Sequence, residues 1–100
     1  MEPQPQLGFH GNEPVVRLRG LPYDCSKGEI DRFFQGLEIA PHGITIVVNQ
    51  DGRPNGNAYV EFVDQHAVAC ALAKSGVGKI GGRCIEVLRS SKSEIQHVVG

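Results

Sequence analysis

Ile44-Thr45-Ile46-Val47-Val48 is followed by Asn49-Gln50-Asp51-Gly52-Arg53-Pro54-Asn55-Gly56, and then by Asn57-Ala58-Tyr59-Val60-Glu61-Phe62-Val63. The first segment is a β-branched run, which favours a strand. The middle one holds Asp-Gly, Arg-Pro and Asn-Gly, the chemistry of a hairpin turn. The third alternates apolar and polar residues, so it reads as a second strand. Working outward, Ser26-Lys27-Gly28-Glu29 is a capping box, with Ile30, Phe33, Phe34 and Leu37 at helical spacing behind it. Gly36 weakens the end of that helix and Pro41 marks its exit. On the other side, Asp64 can cap a second helix carrying Val68, Ala71 and Leu72, which Ser75-Gly76-Val77-Gly78 breaks.

Beyond the two helices lie two more strands. Pro14 introduces Val15-Val16-Arg17-Leu18-Arg19, which alternates, and the turn Ile80-Gly81-Gly82 precedes a strand over Cys84 to Leu88. The order is strand, helix, strand, strand, helix, strand. That is an α+β fold, the split β-α-β sandwich, with a four-stranded antiparallel sheet on two helices. Residues 1–13 read as a disordered leader and 14–91 as the domain. Ser91-Lys92-Ser93-Glu94 is a second capping box, so 92–100 reads as a short C-terminal helix with Ile95, Val98 and Val99 on one face. Alternation sends Val47, Tyr59, Cys84 and Leu88 to the sheet face away from the first two helices. Ile95, Val98 and Val99 are expected to cover that apolar patch, with Tyr59 packed beneath them.

Composition narrows the chemistry. One hundred residues suffice for one small domain. No apolar run approaches the roughly 18–20 residues of a membrane span, and the N-terminal stretch has no signal-peptide pattern. Three cysteines form no CxxC and four histidines are scattered, so neither a disulfide framework nor a metal site is expected. Cys25 is expected half-buried in its loop, without a His partner, so no catalytic residue and no cofactor is assigned. Net charge is −1. That total does not favour a nucleic-acid binder, yet Arg17, Arg19, Lys79, Arg83, Arg89 and Lys92 gather near the first and last strands.

Specific residues carry a family resemblance. Val16-Arg17-Leu18-Arg19-Gly20-Leu21 and Asn55-Gly56-Asn57-Ala58-Tyr59-Val60-Glu61-Phe62 stand in the places of the hexamer and octamer motifs of RNA-recognition motifs. The outward stacking positions of that family are Arg17, Asn57 and Tyr59 here, so two of three rings are absent. Arg17-Leu18-Arg19-Gly20-Leu21-Pro22-Tyr23, Gly36-Leu37-Glu38-Ile39, Gly43-Ile44-Thr45 and Arg83-Cys84-Ile85-Glu86-Val87 resemble the quasi-RNA-recognition motifs of heterogeneous nuclear ribonucleoproteins H and F, most closely their second module.

The resemblance implies a non-enzymatic module that recognises G-rich single-stranded RNA through loops at one sheet edge. It would serve a splicing or RNA-processing regulator, in the nucleus with a cytoplasmic role left open. The module is expected to be monomeric, to sit beside sister RNA-recognition motifs, and to have no membrane partner. By position, Arg19 and Tyr23 supply a cation and an aromatic from the first loop. Arg53 supplies a cation from the hairpin loop, and Lys79 and Arg83 flank the last turn. The family's Tyr after that Arg is Cys84 here. The competing reading is a protein-interaction domain of the same fold that has lost or moved its RNA site. An acylphosphatase-like enzyme of this topology lacks the constellation it needs.

Overall fold

A computed structural model describes residues 13–99, with side chains placed through Ile95. The sandwich is as expected. Strand β1 is Val15–Arg19, helix α1 Lys27–Phe33, strand β2 Ile39–Val48, strand β3 Pro54–Phe62 and helix α2 Gln65–Leu72. Then come β4 (Lys79–Ile80), β5 (Arg83–Cys84), β6 (Glu86–Ser90) and helix α3 (Lys92–Val99). The main sheet runs β2-β3-β1-β6, all antiparallel, while β4 and β5 form a hairpin of their own.

The caps act as their residues predict. Ser26 Oγ accepts the Glu29 N–H at 3.3 Å, and Glu29 Oε1 accepts the Ser26 N–H at 3.1 Å. Asp64 Oδ1 accepts the Ala67 N–H at 2.9 Å at the start of α2. One layer of core fills the space between sheet and helices. Val16, Leu18, Ala58, Val60 and Val87 point in from the sheet onto Ile30, Phe34, Val68 and Ala71. Phe34 sits edge-on to both Phe33 and Phe62, with centroids 4.8 and 5.2 Å away.

Several boundaries differ from the sequence reading. Strand β2 begins at Ile39 rather than Ile44 and holds Pro41 within it, with a register shift between Ile39 and Ile44. Pro41 therefore does not mark the helix exit. It is tolerated because β2 is an edge strand, where a missing N–H breaks no ladder on the outer side. Strand β3 starts at Pro54, which shortens the hairpin loop. The expected fourth strand, Cys84 to Leu88, is split. Arg83–Cys84 turns away to pair with Lys79–Ile80, and only Glu86–Ser90 joins β1. Buried Ile85 is the pivot between the two.

That split corrects the outer-face patch. Cys84 is exposed on the small hairpin and is not part of it. The patch is Val15, Val47 and Tyr59, with Ile95 of α3 packed on it. Val98 and Val99, also expected there, have side chains outside the described residues. Cys25 is buried in the core rather than half-buried, because the Cys25 N–H bonds the Pro22 carbonyl and folds the loop inward. The leader, residues 1–12, lies outside the described residues. Glu13, assigned to it, is instead tied in: its Oε1 accepts the Lys92 N–H at 2.8 Å.

Candidate nucleic-acid interface

The outer sheet face is covered around Tyr59. Tyr59, opposite Arg17 in the β1–β3 register, is only 2% exposed. Glu94 of α3 reaches down to this pair: its Oε1 accepts from Ser90 Oγ at 3.0 Å and lies 4.0 Å from Arg17 Nη1. The Tyr59 hydroxyl also bonds Glu94, and burial first and that bond second raise its pKa above the ordinary value of 10.0. The second capping box is therefore only half made. Ser91 Oγ accepts the Glu94 N–H at 3.3 Å, but the Glu94 carboxylate serves the sheet instead of the Ser91 amide. Lys92 adds an ion pair to Glu61 at 3.0 Å, which raises the lysine's pKa. Arg17 Nε is buried there without a partner.

At the edge of the sheet three loops meet. The Leu21 N–H, after β1, donates to the Gly56 carbonyl at 3.0 Å, which binds the first loop to the β2–β3 hairpin. A Cβ on Gly20 would lie 3.3 Å from the Cys84 carbonyl, and one on Gly81 3.0 Å from Pro22 Cγ. Both glycines have positive φ, +85° and +58°, so the first loop rests on the β4–β5 hairpin through positions suited to residues without a side chain.

Tyr23 stands on this junction, 73% exposed. It lines a shallow hollow with Asn49, Asp51, Arg53 and Pro54. Arg53 Nε lies 3.8 Å from Asp51 Oδ2, and Arg19 Nη1 lies 3.5 Å from Glu86 Oε1. Arg83 is exposed on β5 and makes no ion pair among the described residues. Lys79 lies elsewhere. It lines a second hollow, with Glu29, Arg32, Phe33, Ile80 and Gly81. The geometry thus gathers Tyr23 and Arg53, puts Arg19 and Arg83 on neighbouring elements, and separates Lys79.

Asn49 and Asp51 were missed as neighbours of Tyr23, and Glu86 as the partner of Arg19. The Arg19–Glu86 pair follows from the β1–β6 register, which places the two residues opposite each other. The only hint in the sequence was the short Asp51-Gly52-Arg53 turn. Its Asp51 Oδ1 accepts the Arg53 N–H at 3.3 Å. Among the described residues no cluster of three or more metal-ligating side chains occurs, and no helix is long and apolar enough to cross a membrane. Burial, then nearby Glu29 and Asp24, raise the pKa of Cys25, so its thiol is kept protonated and inert.

A family model described as an RRM domain matches residues 16–100. Human heterogeneous nuclear ribonucleoprotein H is 49% identical over 85 residues, which is 85% of this chain and 19% of that protein. Bovine heterogeneous nuclear ribonucleoprotein F is 48% identical over 92 residues, 92% of this chain and 22% of that protein. The chain thus spans about a fifth of the length of these relatives. Among solved structures, the Glorund qRRM2 domain superposes with a TM-score of 0.80 at 41% identity, covering 85% of this chain and 97% of that one. Human G-rich RNA sequence binding factor 1 superposes at 0.74 with 28% identity, covering 83% and 85%.

Proposed function

The chain belongs to the RRM domain family, and from that premise we propose that it is an RNA-binding module that takes G-rich single strands on its loop edge. The observation that carries this is the contrast between its two tyrosines. Tyr59, at the family's stacking position on the sheet, is sealed under α3, while Tyr23 is 73% exposed beside Arg53. An exposed ring next to a cation is a base platform, and stacking contributes roughly 1–3 kcal/mol per base. Arg19, Arg53 and Arg83 supply phosphate contacts or bidentate contacts to guanine O6 and N7. Lys79 adds charge from the neighbouring hollow.

The ion pairs Arg19–Glu86 and Arg53–Asp51 do not bar this role. Both are well exposed, and such pairs contribute only about 0–1 kcal/mol, so a phosphate can replace the carboxylate at small cost. They do keep the electrostatic share of binding small, on the order of two or three phosphates. The relatives are named as heterogeneous nuclear ribonucleoproteins and as a G-rich RNA sequence binding factor. Those names support an RNA-processing role; on our reading the module is non-catalytic and monomeric, and belongs to a nuclear parent protein in which it acts beside sister modules. Linkage to sisters would raise its affinity through effective concentration.

A second reading, a protein-interaction domain, is favoured by the net charge of −1 and by those two internal ion pairs. A calorimetric titration with a short G-tract RNA, against poly-U and poly-C, separates the two. Preference for the G-tract, weaker in potassium than in lithium because potassium folds G-rich strands, supports the RNA reading. No binding to any of the three supports the protein-interaction domain.

A further inference from the structure

The hollow that takes Lys79 away from Tyr23 lies between α1 and the β4–β5 hairpin. Glu29, Arg32, Phe33, Lys79, Ile80 and Gly81 line it. Arg32, in the last turn of α1, and Lys79 both lack an ion pair among the described residues. Lys74 stands close by, its Nζ 5.9 Å from the centre of the Phe33 ring. One acid enters the hollow, Glu29, and its carboxylate already accepts the Ser26 N–H in the capping box. Arg19 and Arg53, by contrast, each have a carboxylate within 4 Å. Of the loop-edge cations, Arg83, Lys79 and Arg32 have no carboxylate partner among the described residues, and Arg32 and Lys79 share one hollow.

The two hollows share a border. Gly81, on the rim of the second, faces Pro22, whose Cγ would lie 3.0 Å from a Cβ at that position, and Pro22 precedes Tyr23 on the rim of the first. A strand whose base stacks on Tyr23 can cross the Pro22–Gly81 junction and reach Arg32 and Lys79 with its next phosphates. We propose that this second hollow is a subsite for the RNA backbone flanking the G-tract, with Arg32 and Lys79 as its phosphate-binding cations. Its ligand is a phosphodiester rather than a base. Phe33, partly buried against the core and edge-on to Phe34, already has Lys74 Nζ 5.9 Å from its ring centre, so the free cations rather than this ring are the hollow's main binding groups. Contact with phosphate is blind to sequence, so the subsite adds affinity for longer RNAs without adding selectivity. The inference rests on the RNA reading of the loop edge and extends it to residues outside the Tyr23 hollow.

The test compares wild type, Arg32→Gln and Lys27→Gln on two RNAs, a bare G-tract and the same tract with uridine flanks. Lys27 is the control: it is exposed on the same short helix but lines a different surface, with Asp31 and His42. Arg32→Gln is expected to weaken the flanked RNA by about threefold to tenfold. It should also lower the slope of log K against log salt by roughly 0.7, the value for one phosphate on a single strand. The bare tract should bind Arg32→Gln as it binds wild type, and Lys27→Gln should change neither RNA. Equal losses on both RNAs, equal effects of Arg32→Gln and Lys27→Gln, or no loss on the flanked RNA would each overturn the subsite. Wild-type protein that fails to bind the bare tract would instead overturn the RNA reading, and the subsite with it.

Discussion

Truncating each tyrosine to alanine should give opposite readouts. A tyrosine buries about 150–250 Å² when fully covered. Tyr23 keeps 73% of its surface exposed, so about 50 Å² is covered. At about 25 cal/mol per Å² that amounts to about 1 kcal/mol at most, so Tyr23→Ala folds nearly normally. Its effect falls on RNA: loss of one stacked base, about 1–3 kcal/mol, or roughly five- to 150-fold in Kd. Tyr59 is 2% exposed, so the same arithmetic gives up to about 5 kcal/mol. A core aromatic truncation costs about 3–5 kcal/mol, enough to lower Tm by more than about 10 °C in a domain this size. Tyr59→Phe keeps the packing and loses only the bond to Glu94, so it should fold and bind as wild type with a loss of about 1 kcal/mol. Thermal melts and calorimetric titrations of the three variants provide the check. If folded Tyr23→Ala keeps wild-type affinity, or folded Tyr59→Phe loses RNA binding, the sheet rather than the loop edge holds the RNA.

Stability should fall in alkali through Tyr59. Its folded pKa is raised, so the stabilisation is complete below the unfolded value near 10.0 and disappears as pH climbs through the folded one; Tyr59→Phe should flatten that limb of a Tm–pH series. Gly43→Ala should destabilise by about 1–3 kcal/mol in denaturant melts, because its Cβ would lie 2.5 Å from the Glu61 carbonyl and 2.8 Å from that of Ala40, both backbone. Cys84→Tyr places a ring at an exposed position next to Arg83, and should tighten G-tract binding by about 1 kcal/mol with Tm unchanged; unchanged affinity would mean that this position does not face the RNA.

Element type and order could be read from local chemistry. Capping is a contact over three residues, so Ser26-Glu29 and Asp64 reported their helix starts directly. The alternation of Val15 to Arg19 and of Asn57 to Phe62 told core face from outer face, because side-chain direction in a strand follows position parity alone. The Tyr59–Ile95 contact followed from that parity and from the apolar face of α3. Strand ends did not follow. Pro41 is a breaker in the middle of a sheet and harmless at an edge, and which strand lies at the edge is a property of the whole sheet.

The candidate site divides along the same line. Sequence alone supplied the residues, Arg19, Tyr23, Arg53, Lys79 and Arg83, since a family motif preserves residue types at fixed positions. It also supplied the fold class, which depends on the order of short-range signals. Only tertiary structure decided how the residues group. Ile85 turns inward and splits the last strand, which carries Arg83 and Cys84 off the sheet and onto a hairpin against Pro22. The β1–β6 register sets Glu86 opposite Arg19, and the hairpin sets Lys79 beside Arg32 of α1 instead of beside Tyr23. Charge pairing and shared hollows depend on distances between segments far apart in the chain. Those distances arise when sheet and helices pack on one core, and no local pattern encodes them.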